Sequence, residues 1–346
     1  MLNDFWKYLK DCKKPIVLYG MGNGADKIIT VLESRGISIS GVFASDGFVR
    51  DKYFHGFKIH NYSYFKEKYG EMAVLVCFGS NRPEVIENIN RIASEQELYA
   101  PDVPVYGDGL FDTEYVNKNK LRIEKIYSLL ADDISRLTFE SVIKYRLSGD
   151  IKYLYECEAE QSEVYVDFLR IGDREAFLDL GAYSGDTVKE FCDITENRYR
   201  HIYAVEPDKK SFKKLKDNTS NLQNITIYNA CVSSGDGIKR FAMRGGRNSA
   251  LSADGNAIPS ICVDAIAKDK DITLLKADVE GEELNMLAGA ENTIMQKKPK
   301  MKIACYHRTG DFMDIPEAVL KIRDDYKIYM RHFRYIPAWD TYYYFV

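Results

Sequence analysis

At 346 residues the chain is long for one ordinary domain and suits two. Its 45% hydrophobic and 29% charged residues are the balance of a soluble globular protein, and its formal net charge of -4 excludes the broadly basic surface that grips nucleic acid. No apolar run approaches membrane-spanning length, and the start, Met1 to Trp6, lacks a signal-peptide pattern.

Pro15–Gly20 reads as a buried parallel strand, followed by a turn, Gly20-Met-Gly22-Asn-Gly24-Ala25, into a helix through Ile28, Ile29, Val31 and Leu32 that Gly36 closes. A strand at 38–44 ends beside Asp46, and a helix near 62–69, a strand at 73–78, a helix from Pro83 to about Ala93 and a short strand around 103–106 complete a small Rossmann-like α/β unit over about 1–115. Residues 116–164 carry a helical apolar stripe (Leu121, Ile123, Ile126, Leu129, Leu130, Ile134) and read as a helical connector. Strand–helix alternation restarts in 165–346. Strands are expected at 176–180, 201–205, 225–228, 273–278 and 301–306, and helices near 187–192, 209–218, 282–295 and 315–323. Two strand-like runs, 326–332 and 341–346, have no helix between them, so they should form an antiparallel hairpin. A fragment of about 165–346 is therefore expected to stand without the first unit. The seven cysteines include no Cys-x-x-Cys pair, and several sit in apolar runs; reduced, buried thiols in the cytoplasm are the expectation.

The chemistry concentrates where strands end. Phe177-Leu-Asp179-Leu-Gly181-Ala-Tyr-Ser-Gly185-Asp186 runs from an apolar strand through glycines into a helix, and Ile202-Tyr-Ala-Val-Glu206-Pro207 ends the next strand in a carboxylate. Glycine lets a ligand approach the backbone, and an acid at the neighbouring strand tip accepts both hydroxyls of a ribose. The loop lacks the close glycine pair that a pyrophosphate needs, so a nucleoside without phosphates, S-adenosylmethionine above all, fits better. Asp278 and Glu280 end the fourth strand of this unit, where ligands line the crevice; the plainer reading is that both cap the following helix. His307 ends the fifth, placed either as general base, as substrate contact or as a structural histidine. Asp278, Glu280 and His307 are also acceptable ligands for a divalent metal, although their spacing does not demand one and none is assigned.

Residues 165–346 resemble the FkbM-type family of S-adenosylmethionine-dependent methyltransferases. The resemblance rests on Asp179 to Thr187, Val205-Glu206-Pro207, Leu275-Lys276-Ala277-Asp278-Val279-Glu280-Gly281, and Tyr306-His307 followed by Asp311 and Pro316. It implies a class I methyltransferase sheet finished by the antiparallel hairpin, and methyl transfer to oxygen on a sugar, glycan precursor or secondary metabolite. Cofactor contacts are then expected from Asp179, Gly181, Ala182, Tyr183, Gly185, Asp186, Thr187, Glu206, Pro207, Ala230 and Asp278. Catalysis is expected from His307, Asp278 and Glu280, and acceptor contacts from Arg247, Ser249, Arg308 and Asp311. The partner is a small molecule or glycan, with neither nucleic acid nor membrane involved. The rival reading is a nucleotide- or nucleotide-sugar-binding protein or oxidoreductase acting through Gly20, Gly22 and Asp46, a variant of the dinucleotide fingerprint. Those glycines equally suit close helix–strand packing.

Overall fold

The computed structural model describes residues 4–45, 47, 49, 52–242, 250–251 and 255–346. Six strands form the first sheet: β1 (Ile16–Tyr19), β2 (Gly41–Phe43), β3 (Tyr53–Phe54), β4 (Phe57–His60), β5 (Ala73–Val76) and β6 (Glu97–Tyr99), in the order β3-β4-β2-β1-β5-β6. All pairs are parallel except β3 with β4. The expected strand around 103–106 is absent. The edge strand is instead β6, and the Val103–Tyr106 stretch is held by Lys27, whose ammonium donates to the carbonyls of Pro104 and Val105. Pro104 has no N–H for a ladder, which is why the hydrophobic valines there mislead.

The second sheet contains β7 (Ala176–Leu180), β8 (His201–Val205) and β9 (Ile225–Tyr228). A four-stranded insertion follows, β10 (Cys231–Val232), β11 (Gly237–Ala242), β12 (Ala250–Leu251) and β13 (Asn256–Ile261), which the sequence pattern did not reveal. The sheet then resumes with β14 (Leu274–Ala277), β15 (Lys300–Ala304), β16 (Ile328–His332) and β17 (Thr341–Phe345). The order is β16-β17-β15-β14-β7-β8-β9, with β17 antiparallel to both of its neighbours, so the expected hairpin is present. β7 and β14 are fully buried along their length, as parallel strands covered on both faces must be. The chain moves outward from β7 through β8 to β9, then returns to place β14 on the other side. That reversal opens a crevice between the tips of β7 and β14, the usual place for a ligand in an open α/β sheet.

The expected helix over 282–295 is two, Glu283–Ala288 and Glu291–Lys297. They break at Gly289, where a side chain would collide with the Ser233 carbonyl. Helices at Thr113–Lys118, Lys120–Leu129, Asp133–Ser148, Lys152–Tyr155 and Gln161–Asp167 join the two sheets. One apolar core runs from Val74 and Ile86 through Phe139 and Tyr145 to Leu275, Ile303 and Tyr343. Ser80 also bridges to Ile336 across the two halves. A fragment of 165–346 would bare this shared core, which works against the expected separability. No helix among the described residues is long and apolar enough to cross a membrane.

Candidate active site

The loop after β7 is built around close approach. Gly181 has φ +77°, and a Cβ there would run into the Asp278 carbonyl of the neighbouring strand tip. Gly181→Ala should therefore push β7 and β14 apart and cost about 1–3 kcal/mol, read as a lower midpoint of denaturant unfolding; an unchanged midpoint would mean that the tips have slack. Gly185, at φ +89°, opens the helix Asp186–Ile194. Glu206 at the tip of β8 braces this loop: the Tyr183 amide donates to its Oε2 at 2.8 Å and the Asp208 amide to its Oε1 at 2.7 Å. Burial pushes the Glu206 pKa up to about 7, against the pull of those two amides. Asn229 ties the tip of β9 to β8 by donating to the Glu206 carbonyl at 2.9 Å.

Across the crevice, Asp278 accepts hydrogen bonds from Tyr306 at 3.1 Å and Tyr342 at 3.1 Å. His307 lies beneath it. Its Nε2 is 3.3 Å from Asp278 Oδ1 and 3.5 Å from Glu280 Oε2, and its Nδ1 is 2.9 Å from Glu283 Oε1. Glu280 reaches this position through backbone at φ +56°, followed by Gly281 at φ +89°. Burial alone would lower the His307 pKa, but the Glu283 carboxylate, aided by Asp278 and Glu280, outweighs it and holds the pKa at about 10. For Asp278, burial works to raise the pKa, whereas His307, Lys276 and the two tyrosine hydroxyls hold it below the ordinary value. His307 is 1% exposed and is not part of the cavity wall. A protonated imidazole so placed has no vacant nitrogen to receive a proton, which weighs against the general-base expectation for it.

Asp278, Glu283 and His307 present atoms within 4.8 Å of one another, a cluster that a divalent ion could in principle join. A ligating imidazole must be neutral, whereas the carboxylates around His307 favour its protonated form. The three groups form an ion network of their own.

A cavity of about 690 Å³ follows the carboxyl edge of the sheet. One end is walled by Cys231, Val232, Glu206 and Tyr183; the other by Tyr306, Tyr342 and Asp340, with Asn81 reaching in from the first half of the chain. Carboxylates outnumber lysines on its wall. Of the residues expected at the site, Gly181, Tyr183, Asp186, Thr187, Glu206, Pro207, Asp278 and Glu280 do line it. Asp179 does not: it is wholly buried and paired at 3.2 Å with Lys276, whose Nζ also donates to the Gly181 carbonyl at 2.8 Å. Burial works against the Lys276 charge, but Asp179 and Asp278 hold its pKa above the ordinary value. Ala182, Gly185 and Ala230 support the wall from behind, the two alanines both buried.

Two residues expected to contact the acceptor are not part of the cavity wall. Arg308 donates from Nε to the Gly281 carbonyl at 2.7 Å and pairs with Glu282 at 3.7 Å, and Asp311 is 1% exposed and accepts the Arg308 amide at 2.8 Å, so both brace the β15 tip. Arg247, Ser249 and Asp46 lie outside the described residues. In the first half, a Cβ at Gly20 would strike Phe78 and one at Gly24 the Cys77 carbonyl, so these two glycines serve helix–strand packing; Gly22, at φ +101°, faces open space. The sequence reading missed Lys276, Lys302, Tyr306, Tyr342 and Asp340 as wall residues. A lysine inside an apolar strand, as in Leu274-Leu-Lys276-Ala and Met301-Lys302-Ile, was the available signal.

Residues 179–336 match the family model described as the methyltransferase FkbM domain. The chain carries an FkbM methyltransferase domain. S-Adenosyl-L-methionine is the methyl donor of such domains. The crystal structure of methyltransferase FkbM from Methylobacillus flagellatus KT is similar over 96% of this chain and 90% of that one, with a TM-score of 0.73 at 22% identity, a likeness of fold. Aeropyrum pernix fibrillarin, crystallised with natively bound S-adenosyl-L-methionine, aligns with 51% of this chain and 69% of its own at 18% identity and a TM-score of 0.33. No curated protein matches the sequence. The match begins within β7 and ends before β17, so it takes in most of the second sheet and its crevice, and the first sheet lies before it.

Proposed function

We propose that the FkbM domain binds S-adenosylmethionine with its ribose on Glu206 and its adenine beside Cys231 and Val232, and methylates a hydroxyl of a sugar, glycan precursor or secondary metabolite. One observation carries this reading: a single cavity joins the Glu206 end to Asp278 at the β7–β14 switch point. Its size is that of a small-molecule site. The carboxylate-rich wall suits a sulfonium cation and disfavours a polyanionic acceptor such as nucleic acid. The reaction forms an oxygen–carbon bond and breaks the sulfur–carbon bond in line, so the sulfonium charge disappears and the acceptor's proton must leave. Asp278 takes that proton in this reading, with Tyr306 and Tyr342 fixing its oxygens and His307 offsetting its charge. Residues 165–346 supply the chemistry, 116–164 the helical connector, and 1–115 one wall through Asn81. All seven cysteines are free thiols, in keeping with a reducing cytoplasmic setting.

Calorimetry with S-adenosylmethionine tests the donor half. Glu206→Ala should weaken binding by about 1–3 kcal/mol, and unchanged affinity in a folded variant would move the ribose elsewhere. The ribose hydroxyls donate to the ionised carboxylate. With the ligand-free pKa at about 7, wild-type affinity should fall as the pH drops from 8 to 6, and Glu206→Ala should lack that dependence.

A further inference from the structure

Across the second sheet, one row of paired positions reads Asp179, Lys276, Lys302, Tyr344 on β7, β14, β15 and β17. Cross-strand partners share a face, so these side chains stand side by side. Lys276 has its counter-charge in Asp179. Lys302 has Lys276 on one side and a tyrosine on the other. It is 8% exposed, yet it belongs to the cavity wall. Its ammonium lies 4.5 Å from the Tyr342 ring centroid and 5.4 Å from that of Phe333, and among the described residues it makes no hydrogen bond or ion pair. Burial lowers its pKa; Lys276 adds to that shift, and the Glu190, Asp340 and Asp278 carboxylates work against it from a distance. An unpaired buried ammonium costs several kcal/mol and is retained only where something compensates it. The aromatic rings compensate in part. The remaining direction open to it is the cavity.

We infer that Lys302 is an anion-binding residue of this cavity, its ammonium receiving a carboxylate or phosphate of a bound ligand. The inference rests on the proposal that the cavity holds S-adenosylmethionine and its acceptor. Two sources offer such a group: the amino-acid end of the donor, or an acidic acceptor. Lys302 stands on β15, on the side of β14 away from Glu206, and lines the same cavity as Glu206 and Asp278.

The experiment compares wild type with Lys302→Met, a substitution of similar length that removes the charge. Each is titrated with S-adenosylhomocysteine, then with 5′-deoxy-5′-methylthioadenosine, which has the nucleoside but no amino-acid end. Inorganic phosphate is then titrated into each S-adenosylhomocysteine complex. If the donor's carboxylate is the partner, Lys302→Met loses about ten- to hundredfold for S-adenosylhomocysteine and nothing for the truncated nucleoside. If an acidic acceptor is the partner, S-adenosylhomocysteine binds both proteins alike, and phosphate binds the wild-type complex but not the variant. Lys302→Met should melt at or above the wild-type temperature, since it removes a buried charge that is only partly compensated. Equal behaviour of the two proteins toward all three ligands overturns the inference, as does a lower melting temperature with ligand discrimination intact, which marks a structural lysine. Failure of wild type itself to bind S-adenosylhomocysteine would instead strike the donor-site proposal.

Discussion

His307→Ala should destabilise the protein by about 3–5 kcal/mol, the usual cost of removing one partner of a buried charge network. The loss arises because Glu283 is fully buried and its Oε1 faces His307, while Asp278 and Glu280 converge on the other ring nitrogen. Without the imidazolium, three carboxylates face one another. Adding Glu283→Gln to His307→Ala should return part of the stability, because the most buried of those charges is then gone. The pH dependence follows from the raised pKa. A histidine whose pKa rises from 6.5 to about 10 on folding contributes its full stabilisation below pH 6.5 and loses it as the pH climbs through 10. Wild-type stability should therefore decline between about pH 6.5 and 10, and His307→Ala should lack that component. A His307→Ala protein as stable as wild type, binding S-adenosylhomocysteine normally and devoid of turnover, would favour the general-base role instead.

Asp278→Asn should keep the fold and most of the donor affinity and lower turnover by about a hundred- to ten-thousandfold on any acceptor that wild type methylates. Asparagine preserves the shape that Tyr306 and Tyr342 grip but cannot take up a proton. Near-normal kcat in this variant would show that the acceptor's proton leaves to another group or to water.

The residues that were legible in the sequence are those whose chemistry depends on a strand tip. Gly181 and Glu206 announce themselves because a glycine turn and a terminal acid follow apolar runs, and the same logic found Asp278. His307 was found, but its surroundings were not legible, because Glu283 and Asp278 come from a different strand and helix and approach it only in the fold. The burial of Asp179 was hidden for a related reason: its register partner Lys276 stands between it and the cavity wall. Tyr342 looked like one more aromatic in a core strand, and only the antiparallel return of β17 beside β15 brings its hydroxyl to Asp278. The insertion from β10 to β13 escaped because two of its four strands are two residues long and the pairing is mostly between distant segments.

The most direct test of the account is a crystal structure of the full chain with S-adenosylhomocysteine. The expected result has the ribose hydroxyls on the Glu206 carboxylate, the adenine against Cys231 and Val232, and the sulfur turned toward Asp278 with room beyond it beside Tyr306 and Tyr342. A ligand seated away from Glu206, for example on the Gly20–Gly24 turn of the first sheet, would contradict it.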